Sequence, residues 1–151
     1  MSLKELQHLK NLSDEGNFRR KVEAILRDAK AHGYDLTIGS SLRTKAEQAE
    51  KVAKGYSKTM RSKHLPGWDG LARAADIVSS QLGWNAPQDY WIMVGRLALT
   101  KNLKWGGLYG LPRAQRKALV AFLTKPHSAS DVFNPFEWRG KIGWDPAHLE
   151  L

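Results

Sequence analysis

Between Ser13 and Gly33 the apolar residues Phe18, Val22, Ile25, Leu26 and Ala29 recur three and four positions apart. That spacing puts them on one face of an α-helix. Gly33 is a fitting stop, because glycine enters the left-handed conformation that ends helices. Tyr34 to Ile38 then alternates apolar and polar residues, the two-residue period of a short strand. A helix and a strand must therefore bury their apolar faces against a common core.

The same punctuation continues along the chain. Ser2 and Glu5 have the spacing of a capping box ahead of Leu3, Leu6 and Leu9, which share a helical face. Thr44 and Glu47 repeat that spacing, predicting a third helix that stops at Gly55. Tyr56 to Gly70 has no periodicity and predicts a long loop, and Ala74 to Val78 predicts a strand. Pro87 suits the first turn of a helix running through Trp91, Val94 and Ala98. Leu103 to Trp105 predicts a strand broken by Gly106 and Gly107, Pro112 to Leu123 a helix, Pro126 to Gly143 a loop, and Ala147 to Leu151 a last strand. Helices first, then short strands mixed with helices, imply an α+β class with a small, mainly antiparallel sheet flanked by helices.

At 151 residues the chain is expected to form one domain over residues 1–151, since domains commonly run to ~100–150 residues. No apolar run approaches the ~20 residues that cross a bilayer, and Met1 to Leu12 lacks the apolar centre of a secretion signal. Neither a signal peptide nor a transmembrane segment is expected. The absence of cysteine excludes disulfides, thiolate metal sites and thiol nucleophiles. Any metal must be held by His, Asp or Glu. The net charge of +9 draws polyanions; nucleic acid, anionic lipid and an anionic cell wall all qualify, and charge alone does not choose among them. Trp68, Trp84, Trp91, Trp105, Trp138 and Trp144 are scattered rather than interleaved with basic residues. No nucleic-acid partner is expected from that pattern.

Among the histidines, His8 and His32 lie in helical segments and read as structural or solvated, and His127 in a Pro/Ser-rich loop reads as exposed. His64 and His148 stand apart through their neighbours. His64 lies in Ser62-Lys63-His64 on the long loop. Asp76 follows in Ala72-Arg73-Ala74-Ala75-Asp76, inside an apolar stretch. A buried carboxylate needs a partner. Arg43, Arg73 or a metal would serve, and for Asp76 alone a salt bridge is the simpler answer. Asp145-Pro146-Ala147-His148 places a carboxylate three residues before a histidine, so both can face one cleft if Asp145 ends a loop and His148 begins a strand. Each pattern is weak by itself.

Taken together and in order, they are stronger. With Arg43-Thr44-Lys45-Ala46-Glu47-Gln48 and Trp105-Gly106-Gly107, the chain from about Ile38 onward resembles the zinc D-alanyl-D-alanine carboxypeptidases and the L-alanyl-D-glutamate endopeptidases of phage endolysins. That family's pattern is Arg-Ser-x-x-x-Gln, Ser-x-His, Gly-x-Ala-x-Asp, Trp-Gly-Gly and Asp/Glu-x-x-His. The resemblance implies a hedgehog/D-Ala-D-Ala-peptidase-like fold with Zn2+ on His64, Asp76 and His148. It implies Asp145 as the base for an attacking water and the acid for the leaving amine. It further implies Arg43 as a clamp on a substrate carboxylate or carbonyl, Ser62 and Gln48 as substrate contacts or braces, and Trp105 as packing beside the site.

The chain departs from the family pattern in several places. The His64–Asp76 interval is long, as if Pro66 to Gly70 were inserted, and Ala72 replaces the usual glycine. The stretch from Gly107 to Asp145 is also long, and Pro146 is separated from the histidine by Ala147. Asp69 is read as a turn residue. Glu150 could orient a ligand or stand in for the base. The expected function is an L-alanyl-D-glutamate endopeptidase acting on bacterial peptidoglycan as a phage endolysin. It would be a monomer held in the host cytoplasm until lysis and then acting in the periplasm and wall. The alternatives are a D-Ala-D-Ala carboxypeptidase and a noncatalytic basic module binding cell wall or nucleic acid.

Overall fold

The structure is a computed structural model that describes all 151 residues. Its elements, in chain order, are α1 (Leu3–Lys10), α2 (Phe18–Ala31), β1 (Leu36–Ser40), α3 (Lys45–Ala53), β2 (Ala74–Ser79), α4 (Gln88–Thr100), β3 (Lys104–Trp105), α5 (Arg113–Thr124) and β4 (His148–Glu150). Single 3-10 turns occupy Glu15–Asn17, Gly106–Leu108 and Pro135–Glu137. The four strands form one sheet in the order β1-β2-β4-β3, and every pairing is antiparallel. The expected α+β class and antiparallel sheet are both present.

The α2 face read from the sequence is the buried one: Phe18, Val22, Ile25, Leu26 and Ala29 all enter the core. They pack with Ile77 of β2, Ile92 of α4 and Leu149 of β4. Each such large apolar side chain contributes about 1.5–3 kcal/mol when fully buried. α2 packs against α4 and β1, and α4 packs in turn against α5 and β3. No helix is long and apolar enough to cross a membrane.

Side chains alternate across a strand, and this alternation positions the site. In β2, Ala75 and Ile77 join the apolar cluster, and in β4 Leu149 does. Asp76, His148 and Glu150 therefore point to the opposite face. Asp76 and His148 are direct cross-strand partners, so the sheet itself brings together residues 72 positions apart.

Several boundaries differ from the sequence reading. β1 starts at Leu36 rather than Tyr34. Gly33 ends α2 at φ +85°, and the Tyr34 amide then donates back to the Ala29 carbonyl at 2.9 Å, so Tyr34 belongs to the helix cap. Pro87 is the residue before α4 rather than inside its first turn. Thr44 and Glu47 make the full capping box of α3. At α1 the Ser2 hydroxyl accepts from the Glu5 amide at 3.1 Å, which is the forward half of the expected box. His127 is half-buried, not exposed, because its ring packs edge-on against Phe133 at 5.6 Å.

Candidate metal centre and its cleft

His64, Asp76 and His148 converge: one potential ligand atom from each lies within 4.8 Å of the others, and all three residues are buried. They arrive from three places, namely the α3–β2 loop, the middle of β2 and the first residue of β4.

His64 is held by a serine hydroxyl and a backbone carbonyl. Its amide donates to the Ser62 hydroxyl at 3.1 Å, and its Nδ1 donates to the Ser41 carbonyl at 2.6 Å. That leaves Nε2 as a lone-pair nitrogen. Nε2 is buried without a hydrogen-bond partner and lies 3.4 Å from Asp76 Oδ2. An unpartnered buried nitrogen beside a carboxylate suits a cation between them, since orphaned buried polar atoms are otherwise costly.

Asp76 also lies 3.4 Å from Arg43 Nη2. The salt bridge anticipated for it is thus formed with Arg43. Arg73 pairs instead with Glu15 at 2.9 Å and Asp69 at 3.1 Å. Burial alone would raise the Asp76 pKa, but the adjacent imidazoles of His148 and His64, 3.5 and 3.4 Å away, hold it well below the usual carboxylate range. Its charged form is the one that a metal requires.

His148 turns Nδ1 inward, 3.5 Å from Asp76 Oδ1 and 3.9 Å from Asp145 Oδ2. Its Nε2 meets Glu150 Oε1 at 3.0 Å. Burial pulls the imidazole pKa down, but the bonds to Asp76 and Glu150 and the charge of Asp145 prevail and push it up to about 9. Glu150 is itself anchored: the Tyr109 hydroxyl donates to Oε1 at 3.1 Å, and Lys63 Nζ lies 3.2 Å from Oε2. Of the two tasks considered for Glu150, its position fits the orienting one. Asp145 is the carboxylate beside the three converging residues. Its pKa is raised by burial first and by the negative charge of Asp76 second.

Two glycines and a tryptophan support the Asp145 loop. Trp105 is fully buried and donates its indole N–H to the Pro146 carbonyl at 2.6 Å. The Gly106 carbonyl accepts from the Asp145 amide at 3.3 Å, and the Gly107 carbonyl accepts from Gly143 at 2.5 Å. A side chain on Gly106 would run into the Asp145 carbonyl, and one on Gly107 into the Trp105 ring. Trp105 is therefore a core residue that also holds the Asp145 turn.

The other expected site residues are placed unequally. Ser62 and Arg43 line the cleft. Arg43 gives its N–H groups to Gln48 at 2.8 Å, Ser40 at 3.1 Å and Asp76, so two of its five N–H donors stay uncommitted. Gln48, expected as a substrate contact or a brace, is fully buried and is not among the residues lining the cleft. Its carbonyl takes the Arg43 bond, and its amide nitrogen reaches Ser57 at 2.9 Å and the Thr59 carbonyl at 2.7 Å. Gln48 is a brace between Arg43 and the loop. Asp69 behaves as a turn residue with an added clasp. It accepts from the Leu71 amide at 3.1 Å and from the Ser13 hydroxyl at 2.6 Å, tying the long loop to the N-terminal helices.

The converging residues sit in a cleft of about 640 Å³ whose walls include Tyr56, Lys58, Arg61, Trp84, Tyr109 and Trp144. A groove of similar size, about 630 Å³, runs beside α2 and β1 and contains none of these residues. Sequence reasoning missed Tyr109 and the support that His8 gives. His8 Nδ1 meets the Ser41 hydroxyl at 2.6 Å, and the same Ser41 carries the carbonyl that fixes His64. No local signal marks either residue, because each acts through a partner distant in sequence.

The chain matches no protein-family model and no curated protein. Its structure is similar to the crystal structure of Serratia marcescens L-Ala D-Glu endopeptidase ChiX, with a TM-score of 0.56 and 21% identity over 100% of this chain and 88% of that one. The likeness is one of fold.

Two imidazole nitrogens and one carboxylate could hold a metal ion with a position left open. That donor set suits zinc, which binds N and O ligands in fours and keeps one place free in catalytic sites.

Proposed function

We propose that this chain is a zinc-dependent peptidase that cuts peptidoglycan stem peptides, as an L-alanyl-D-glutamate endopeptidase of the phage endolysin kind, working as a monomeric catalytic domain. The carrying observation is the convergence of His64, Asp76 and His148 with Asp145 beside them. The fold shared with an L-Ala D-Glu endopeptidase supports the substrate class.

Zn2+ held by His64, Asp76 and His148 would supply a Lewis acid that polarises the scissile carbonyl and acidifies water. Asp145 takes one proton of the attacking water on a side-chain oxygen and returns it to the amine that leaves; the second water proton follows from the new carboxyl group, so one peptide bond and one water become a carboxylate and an ammonium. Burial and Asp76 raise the pKa of Asp145, which makes it a better proton acceptor than an exposed carboxylate. Arg43 fixes Asp76 and offers its two uncommitted donors to a substrate oxygen. Glu150, Tyr109 and Lys63 keep the His148 ring in register. Release from the host cytoplasm at lysis, followed by action in the wall, fits the positive charge of +9 facing an anionic envelope.

Metal analysis of the purified protein is expected to find about one zinc per chain, and a chelator to stop peptidoglycan cleavage. Asp145→Asn is expected to keep the metal while losing about 10²–10⁴ in turnover. Mass spectrometry of the fragments identifies the bond. Cleavage between L-Ala and D-Glu supports the endopeptidase, whereas release of D-Ala alone would make the protein a carboxypeptidase. Wall binding without cleavage, indifferent to chelator, would make it a noncatalytic module.

A further inference from the structure

The charges lining the cleft are divided. Its acidic residues, Asp76, Asp145 and Glu150, all belong to the candidate metal centre. Outside that centre the lining is cationic: Lys51, Lys58 and Arg61 are exposed, and no acidic group lies within 4.0 Å of any of them. The other two cations in the lining are already engaged, Arg43 by Asp76 and Lys63 by Glu150.

The loop carrying Lys58 and Arg61 is also braced. Gln48, fully buried, holds Ser57 and the Thr59 carbonyl from below, and the Arg61 amide donates to the Thr59 hydroxyl at 2.9 Å. Lys58 Nζ stands over the Trp144 ring at 4.8 Å. Trp144 directly precedes Asp145 in sequence, so this lysine is placed next to the segment that delivers the candidate base. A cation resting on an aromatic face is steered in direction while its N–H groups stay available.

We propose that Lys58 and Arg61 form a carboxylate-binding wall of the cleft. The preferred substrate is then a peptide with a free carboxylate close to the scissile bond rather than its carboxamide form. This rests on the reading that the cleft cuts peptides. The physical reason is that ammonium and guanidinium groups make charge-assisted bonds to a carboxylate that a neutral amide cannot match.

The test uses the full chain loaded with zinc and two synthetic probes: an L-Ala–D-Glu peptide with free carboxylates, and the same peptide with those groups amidated. Wild type is expected to prefer the acid form roughly tenfold in kcat/KM, the scale of two exposed ion pairs. The double variant Lys58→Ala/Arg61→Ala is expected to bring that preference close to one, with the loss falling on KM for the acid peptide. A charge-matched control, Arg116→Ala/Lys117→Ala on α5 outside the cleft, is expected to keep the preference. Equal cleavage of both peptides by wild type, or a preference that survives in the loop variant or vanishes in the control, overturns the wall and leaves the peptidase reading intact. If zinc-loaded wild type cuts neither peptide nor purified peptidoglycan, the peptidase reading fails. Calorimetric binding of the acid peptide then decides the wall: binding that the loop variant loses supports it, and no binding overturns it. Both substitutions are of exposed loop residues, and circular dichroism checks that the variants fold.

Discussion

The two ring nitrogens of His148 face different partners, and this division sets up the site. Nδ1 faces Asp76 and Asp145, while Nε2 is held by Glu150. A carboxylate on the far nitrogen of a ligating histidine fixes its orientation and raises its basicity. Glu150→Gln keeps the shape but removes the charge. It is expected to weaken zinc affinity about 10–100-fold, read by competition with a chromophoric chelator. Unchanged affinity would show that the Glu150 contact is incidental.

The same residue predicts a pH dependence. In the metal-free protein the His148 pKa is raised from 6.5 to about 9. Its protonated form therefore stabilises the metal-free fold below pH 6.5, and that contribution is lost as pH rises through about 9. Under the proposed zinc site, an ion binding at Nδ1 would displace this proton. Apparent zinc affinity is thus expected to rise with pH up to about 9, with close to one proton released per ion from His148 at pH 7. Calorimetry in two buffers of different ionisation enthalpy measures the number released. No proton release at pH 7 would place Nδ1 outside the coordination.

At the scale of elements, β2 and β4 carry the site because a strand presents alternate residues to opposite faces. One face builds the core with Ala75, Ile77 and Leu149, and the other presents Asp76, His148 and Glu150. A one-residue slip of β4 would bury His148 in the core and turn Leu149 to the other face, so core packing fixes the register of Asp76 and His148. The Trp105-Gly106-Gly107 turn fixes the Asp145 loop in the same way. Gly107→Ala forces a methyl into the Trp105 ring and is expected to cost about 1–3 kcal/mol, the usual range for overpacking. Urea denaturation measures that loss, and cleavage should fall with it because Trp105 holds Pro146.

At the scale of the whole molecule, the N-terminal helices do more than complete the core. α1 reaches the site through His8 and Ser41, and the Ser13–Asp69 clasp anchors the loop that carries His64. The positive charge acts at the same scale, as a field rather than a contact. Screening shortens from ~10 Å at 0.1 M salt to ~3 Å at 1 M. Retention on purified cell-wall sacculi is therefore expected to fall over that range, as followed by co-sedimentation. Retention unaffected by salt would mean that charge does not drive envelope contact.

The sequence alone determined the elements and their order. The helix of Phe18 to Ala29, the capping box at Thr44 and the apolar run of β2 are set by interactions within a few residues, and these are legible without coordinates. It also marked His64, Asp76, Asp145 and His148, through motif order rather than through any single spacing. What only the tertiary structure decided is which of these residues meet and how they are supported. Sheet register places Asp76 opposite His148, and the Ser41 carbonyl leaves His64 Nε2 free. Gln48 lies beneath the cleft rather than in it, and Tyr109, Lys63 and Glu150 form one bonded group. Each of these depends on contacts between residues far apart in the chain, whose partners are chosen by how the core packs and not by the local pattern.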